Sequence, residues 1–179
     1  MKFTSTDLAG AQLIEFPANT DARGGFVKTF HEEIYARQGV SLHCAEEYYS
    51  TSRKGVVRGM HLQTPPFAVD KLVYCPGGAV LDVIVDLRRG SPTYGRHATH
   101  ELSGTNHLAL FIPAGIAHGF LSLADDSLMV YQCSAVYSPT HDTGIHWASF
   151  GFTWPVAAPV VSARDRALVP LGQFESPFA

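Results

Sequence analysis

Long apolar runs, paired cysteines and runs of like charge are all missing from this chain of 179 residues, and each absence excludes something. No stretch approaches the ~20 apolar residues that cross a bilayer as a helix. Met1-Lys2-Phe3-Thr4-Ser5-Thr6-Asp7 holds no apolar segment of signal-peptide length, so a soluble, cytoplasmic protein with no membrane partner is expected. The three cysteines, Cys44, Cys75 and Cys133, form no C-x-x-C pair. In apolar or strand-like surroundings they are expected to be reduced core residues rather than a disulfide framework or a metal site. No basic run appears and the net charge is -3, which argues against nucleic acid. The G-x-S-x-G elbow and the glycine-rich phosphate loops are absent too.

Charge itself is scarce, at 16% of residues, and mean hydropathy is +0.04. A compact body partly covered by a second subunit fits this composition, with a monomer of large core as the alternative. The length suits one domain over residues 1–179.

Turn residues recur about every ten positions, and β-branched and aromatic residues fill the gaps. The expected strands are Ala11–Phe16, Gly25–Phe30, Ala45–Ser50, Gly55–Gln63, Lys71–Cys75, Ala79–Leu87, Ala98–Leu102, Ala109–Ile112, Gly119–Leu123 and Met129–Tyr137. The expected helix is His31–Gln38, ended by Gly39. Many short, evenly spaced strands argue for an all-β sandwich or barrel. Asp82 and Asp86 alternate with Val83 and Val85, so one face of that strand is polar. It lines a barrel lumen or a solvent-facing edge.

Three stretches concentrate chemistry: Arg58-Gly59-Met60-His61-Leu62-Gln63, Asp70-Lys71-Leu72-Val73, and Ile112-Pro113-Ala114-Gly115-Ile116-Ala117-His118-Gly119-Phe120. Cations and histidines on buried strands are costly unless an anion binds there, which points to a phosphate-bearing small molecule. Arg58 and His61 are three apart and would face opposite ways in a regular strand. A bulge at Gly59 would bring them to one site. Pro113-x-Gly115-x-x-His118 matches the later half of a metal-barrel pattern, but no second histidine stands two residues from His61, so the pattern argues against a metal.

These residues, with Asp21-Ala22-Arg23-Gly24, Asp82-Val83-Ile84-Val85-Asp86, Gly90-Ser91-Pro92-Thr93-Tyr94-Gly95, Tyr131, Tyr137-Ser138-Pro139, Trp154-Pro155 and Ser162-Ala163-Arg164-Asp165, resemble the dTDP-4-dehydrorhamnose 3,5-epimerases. The resemblance implies a cupin-type double-stranded β-helix, or jelly roll, with a few short helices. It implies a homodimer and a site that uses neither metal nor cofactor. It further implies a nucleotide-diphosphate sugar bearing a 4-keto group, which loses a proton beside that group and regains one on the other face. By position His61 is the base, Asp165 its orienting carboxylate, Tyr131 the acid and Lys71 the enolate stabiliser. Arg23, Arg58, His118 and Arg164 meet the diphosphate or nearby groups, and Phe26 and Tyr137 sandwich the base of the nucleotide. Lys28, Glu46, Tyr48 and Asp142 complete the expected substrate contacts. Lys28 stands where the family often has glutamate, and Glu46 and Tyr48 where it tends to have Gln and Asn. These departures bear on which base and sugar are taken, and on whether one or two carbons invert.

Overall fold

The computed structural model describes residues 1–179. In chain order the strands are β1 (Lys2–Ser5), β2 (Gln12–Glu15), β3 (Ala18–Asp21), β4 (Gly24–Val27), β5 (Glu46–Ser52), β6 (Val56–Gln63), β7 (Lys71–Gly77), β8 (Ala79–Asp86), β9 (His97–Ser103), β10 (Leu108–Ile112), β11 (Ile116–Ser122), β12 (Ser127–Cys133), β13 (Asp142–Gly144) and β14 (Val160–Val161). Two short helices, α1 (Glu32–Arg37) and α2 (Ala163–Arg166), accompany them. One sheet runs β1-β2-β10-β7-β12-β5. The other runs β13-β6-β11-β8-β9, with β14 added parallel to β6. The two sheets face each other as a jelly roll.

Period-two patterning decides what each strand buries. On β8, Val80 and Ile84 point between the sheets and pack with Val73, Leu110, Phe120 and Met129. Asp82 shares that inward face and is fully buried, so the polar stripe of this strand lines the interior. Val83, Val85 and Leu87 point the other way, onto Ile145, Phe150, Trp154 and Val161 of the C-terminal segment. A buried side chain of this size contributes about 1.5–3 kcal/mol, enough for several together to anchor the segment that carries α2. The outer face of the other sheet is covered by Tyr35, Val40 and Leu42, in and beyond α1, packed on Ile14, Leu72 and Phe111.

Most expected strands form within a few residues of their bounds. Met129–Tyr137 is shorter than expected: pairing ends at Cys133, and Tyr137 swings away with its N–H donated to Glu46 Oε2 at 2.6 Å. Strands β1, β3, β13 and β14 were not expected; β13 and β14 are only three and two residues long, and β3 is exposed along its whole length and has no apolar alternation to mark it. Cysteine burial needs one correction. Cys75 and Cys133 are buried and free, whereas Cys44 is exposed in the loop before β5.

Candidate active site

A cleft of about 750 Å³ opens between the sheets, with walls from β5, β6, β7, β11 and β12 and a rim from β14 and α2. Its centre is set by an irregularity. Strand β11 pairs His118 with His61 but Phe120 with Arg58, so β6 carries one extra residue there. The bulge turns Arg58 and His61 to the same cleft. Gly59 makes it possible: its φ is +137°, and a Cβ there would lie 2.5 Å from the Cα of Gly119.

The same glycine reaches the next residue of the site. Asp165 Oδ1 lies 2.7 Å from His61 Nε2, and Gly59 N–H donates to Asp165 Oδ2 at 3.2 Å. Asp165 occupies the first turn of α2, where its N–H donates to the N-cap Ser162 Oγ at 3.0 Å. Pairing of Val160 and Val161 with Val56 and Val57 fixes this helix beside the strand of His61. Burial alone would raise the Asp165 carboxyl. Hydrogen bonds from His61, Gly59 and Ser162 outweigh it and hold the carboxyl below its usual range. The carboxylate is therefore charged and orients the ring.

Tyr131 stands on β12, in the opposite sheet. Its ring stacks on Tyr48, its cross-strand partner, at 4.8 Å and 18°, and meets His118 edge-on at 5.9 Å. Burial drives its hydroxyl pKa well up, so it keeps its proton. Lys71, also on that sheet, reaches across so that Nζ donates to the His61 carbonyl at 3.3 Å. Burial lowers its pKa against the upward pull of Cys133, Asp142 and Asp82. At the floor His118 Nε2 and Asp82 Oδ2 are 2.7 Å apart, both buried.

Toward solvent, Arg58 donates to Ser52 Oγ and the Thr51 carbonyl, each at 3.0 Å. Arg164 pairs with Asp142 at 2.6 Å. Glu46, Tyr48 and Tyr137 also line the cleft. Eleven of the fourteen expected site residues thus gather in one cavity. The other three do not. Arg23, Phe26 and Lys28 lie on or just past the β3–β4 hairpin, whose strands pair only with each other. All three are exposed, and Arg23 is engaged with Asp21 at 2.6 Å. Asp82, Gln63, Cys133 and Ser162 line or support the cleft without having been singled out for it. For Ser162 a signal existed, since Ser-x-x-Asp marks a helix start. No group of three or more His, Cys, Asp or Glu side chains is gathered as a metal site would need.

Comparison with known proteins agrees with this geometry. The family model for dTDP-4-dehydrorhamnose 3,5-epimerase matches residues 5–173. A dTDP-4-dehydrorhamnose 3,5-epimerase of Methanothermobacter thermautotrophicus is 39% identical over 175 residues, covering 95% of this chain and 94% of the relative. The crystal structure of an epimerase from Legionella pneumophila in complex with dTDP-4-keto-L-rhamnose superposes with a TM-score of 0.92 at 33% identity, covering 97% and 94% of the two chains. A dTDP-4-dehydrorhamnose 3-epimerase of Streptomyces niveus is 35% identical over 93% of this chain and 82% of its own.

Proposed function

This chain belongs to the dTDP-4-dehydrorhamnose 3,5-epimerase family, and we propose that it inverts carbons of a nucleotide-linked 4-keto-6-deoxyhexose by moving protons between two walls of the cleft. His61, on one sheet, removes the proton from a carbon beside the keto group. Asp165 balances the imidazolium that forms. Lys71 holds the oxygen on which the enolate charge develops, in a site where burial strengthens the interaction. Tyr131, on the other sheet, returns a proton to the opposite face. The observation that carries this reading is the pairing of an oriented, partly open imidazole with a protonated phenol across one cleft.

Arg58 and Arg164 meet the diphosphate at the rim, with Glu46, Tyr48, Asp142 and Tyr137 around the sugar and base, and His118 near the keto end. Arg23, Phe26 and Lys28 contact substrate only if a second copy brings its hairpin over the cleft, which is how the expected homodimer would complete the site. In this reading the enzyme is one domain acting in the cytoplasm, without metal or cofactor.

A single-carbon epimerase is the second reading, favoured by the Streptomyces niveus relative. Incubation with dTDP-4-keto-6-deoxyglucose in deuterated water, followed by NMR, separates the two. Exchange and inversion at both C3 and C5 are expected. Exchange at one carbon selects the second reading, and tight binding with no exchange at either overturns both.

A further inference from the structure

Four buried side-chain polar atoms have no hydrogen-bond partner within the protein: Ser50 Oγ, Asp82 Oδ1, His100 Nε2 and Trp147 Nε1. Two of them sit on residues directly opposite each other. Asp82 on β8 is the register partner of His100 on β9, and such partners place their Cβ atoms about 4.5–5.5 Å apart on the same face. That face is the inner one: Ala98 and Leu102, two residues either side of His100, belong to the core between the sheets. A carboxylate oxygen and an imidazole nitrogen, both shut away from solvent and neither bonded within the protein, thus lie on paired residues of one face behind the cleft floor. Leaving both unpaired would cost about 1–3 kcal/mol each, and a single water bridging them removes that cost.

We propose that His100 is a positioning residue of this site. Its Nε2–H donates to Asp82 Oδ1 through one buried water, and so fixes the carboxylate whose other oxygen holds His118. The donor is the neutral imidazole. Burial lowers the pKa of His100, and Asp82 and Asp7, the two carboxylates that face it, pull it up by less.

The consequence lies in what else faces Asp82. His118 approaches it from β11 and His100 from β9. From the opposite sheet Lys71, Tyr131 and Cys75 all feel its charge. A carboxylate with one oxygen unsatisfied would compete for the Lys71 ammonium. With His100 on that oxygen, Asp82 stays directed at His118, and Lys71 is left to act in the cleft.

Histidine-selective ¹⁵N NMR of the unmodified protein tests the bond itself. His100 should be neutral with its proton on Nε2; a bare Nε2 with the proton on Nδ1 overturns the proposal. Two variants test the consequence. His100→Val removes the donor and should lower kcat on the order of three- to tenfold with KM within about twofold, while His100→Gln, which keeps a donor, should restore most of the loss. Val and Gln variants that behave alike, whether both active or both impaired, contradict it. If the Val variant does not fold, the tautomer decides. The kinetic arm rests on the epimerase reading and the tautomer does not, so failure of one is distinguishable from failure of the other.

Discussion

The two His–Asp pairs of the cleft share a contact of 2.7 Å and differ in almost everything around it. The His61 side chain keeps 26% of its surface and that of Asp165 5%, against 4% and 0% for His118 and Asp82. Asp165 has both oxygens held, one by His61 and one by the backbone of the bulge. Asp82 has one oxygen held by His118. Exposure suits a ring that must reach a substrate carbon and then release its proton. Burial suits a fixed dipole whose field is strengthened where water is excluded. In the proposed mechanism the same pair of residue types serves as a base at the wall and as a support at the floor, and surroundings rather than contact distance separate the two.

The largest effect expected from this contrast is at His61. His61→Ala should lower turnover by roughly 10²–10⁴-fold, the span of a general base, while calorimetry still finds dTDP bound. Near-normal turnover would remove His61 from the chemistry. Next come the two carboxylates. Asp165→Asn keeps the shape but loses the charge that balances the imidazolium, and should lower kcat on the order of a hundredfold. Asp82→Asn should lower it only on the order of tenfold. Equal losses would erase the distinction between the pairs.

A third buried carboxylate supplies the smallest effect on turnover. Asp86, fully buried, accepts from Arg88 Nε at 2.9 Å, Arg88 Nη2 at 2.8 Å, Ser91 Oγ at 2.6 Å and Thr93 Oγ1 at 2.6 Å. Burial pushes its pKa up, but these donors overcome that and bring it to about 2, below the unfolded value of roughly 3.9. Its stabilisation is therefore fully present above the ordinary carboxylate range and is lost as pH falls through about 2. Asp86→Asn should cost on the order of 2 kcal/mol of unfolding free energy at neutral pH, flatten the acid limb of the stability curve, and leave turnover per folded molecule unchanged. An unaltered acid limb would place the charge-dependent stability elsewhere.

The strands that carry His61, His118 and Asp82 were legible in the sequence, but the pairing of His118 with Asp82 was not. The short strands and their turns were legible because alternation and Gly/Pro punctuation are local signals, and β8 (Ala79–Asp86) falls within one residue of expectation. The requirement for a bulge at Gly59 followed from the three-residue spacing of Arg58 and His61, and the register shift lies there. What was not legible depends on distant pairing. Asp165 could equally have lain on a surface loop. Its burial comes from α2 docking on a strand that holds His61, 104 residues earlier. Alternation on β8 left open whether Asp82 faced lumen or solvent, because only the neighbouring strands decide which side is covered. Cys44 read as core from its neighbours, yet the loop before β5 exposes it. The Asp21-Ala22-Arg23-Gly24 turn was legible as a motif, but neither the strand before it nor its place outside the cleft was.

In the proposed mechanism base and acid work from opposite sheets, and Tyr131→Phe separates the two steps. In deuterated water with dTDP-4-keto-6-deoxyglucose, NMR reads proton exchange and net inversion from one sample. With His61, Asp165 and Lys71 intact, solvent exchange at the carbon beside the keto group should stay within about tenfold of the parent. Inversion should fall by roughly 10² or more, since the phenol that returns a proton to the other face is gone. A parallel fall of exchange and inversion by one common factor would contradict the two-wall account.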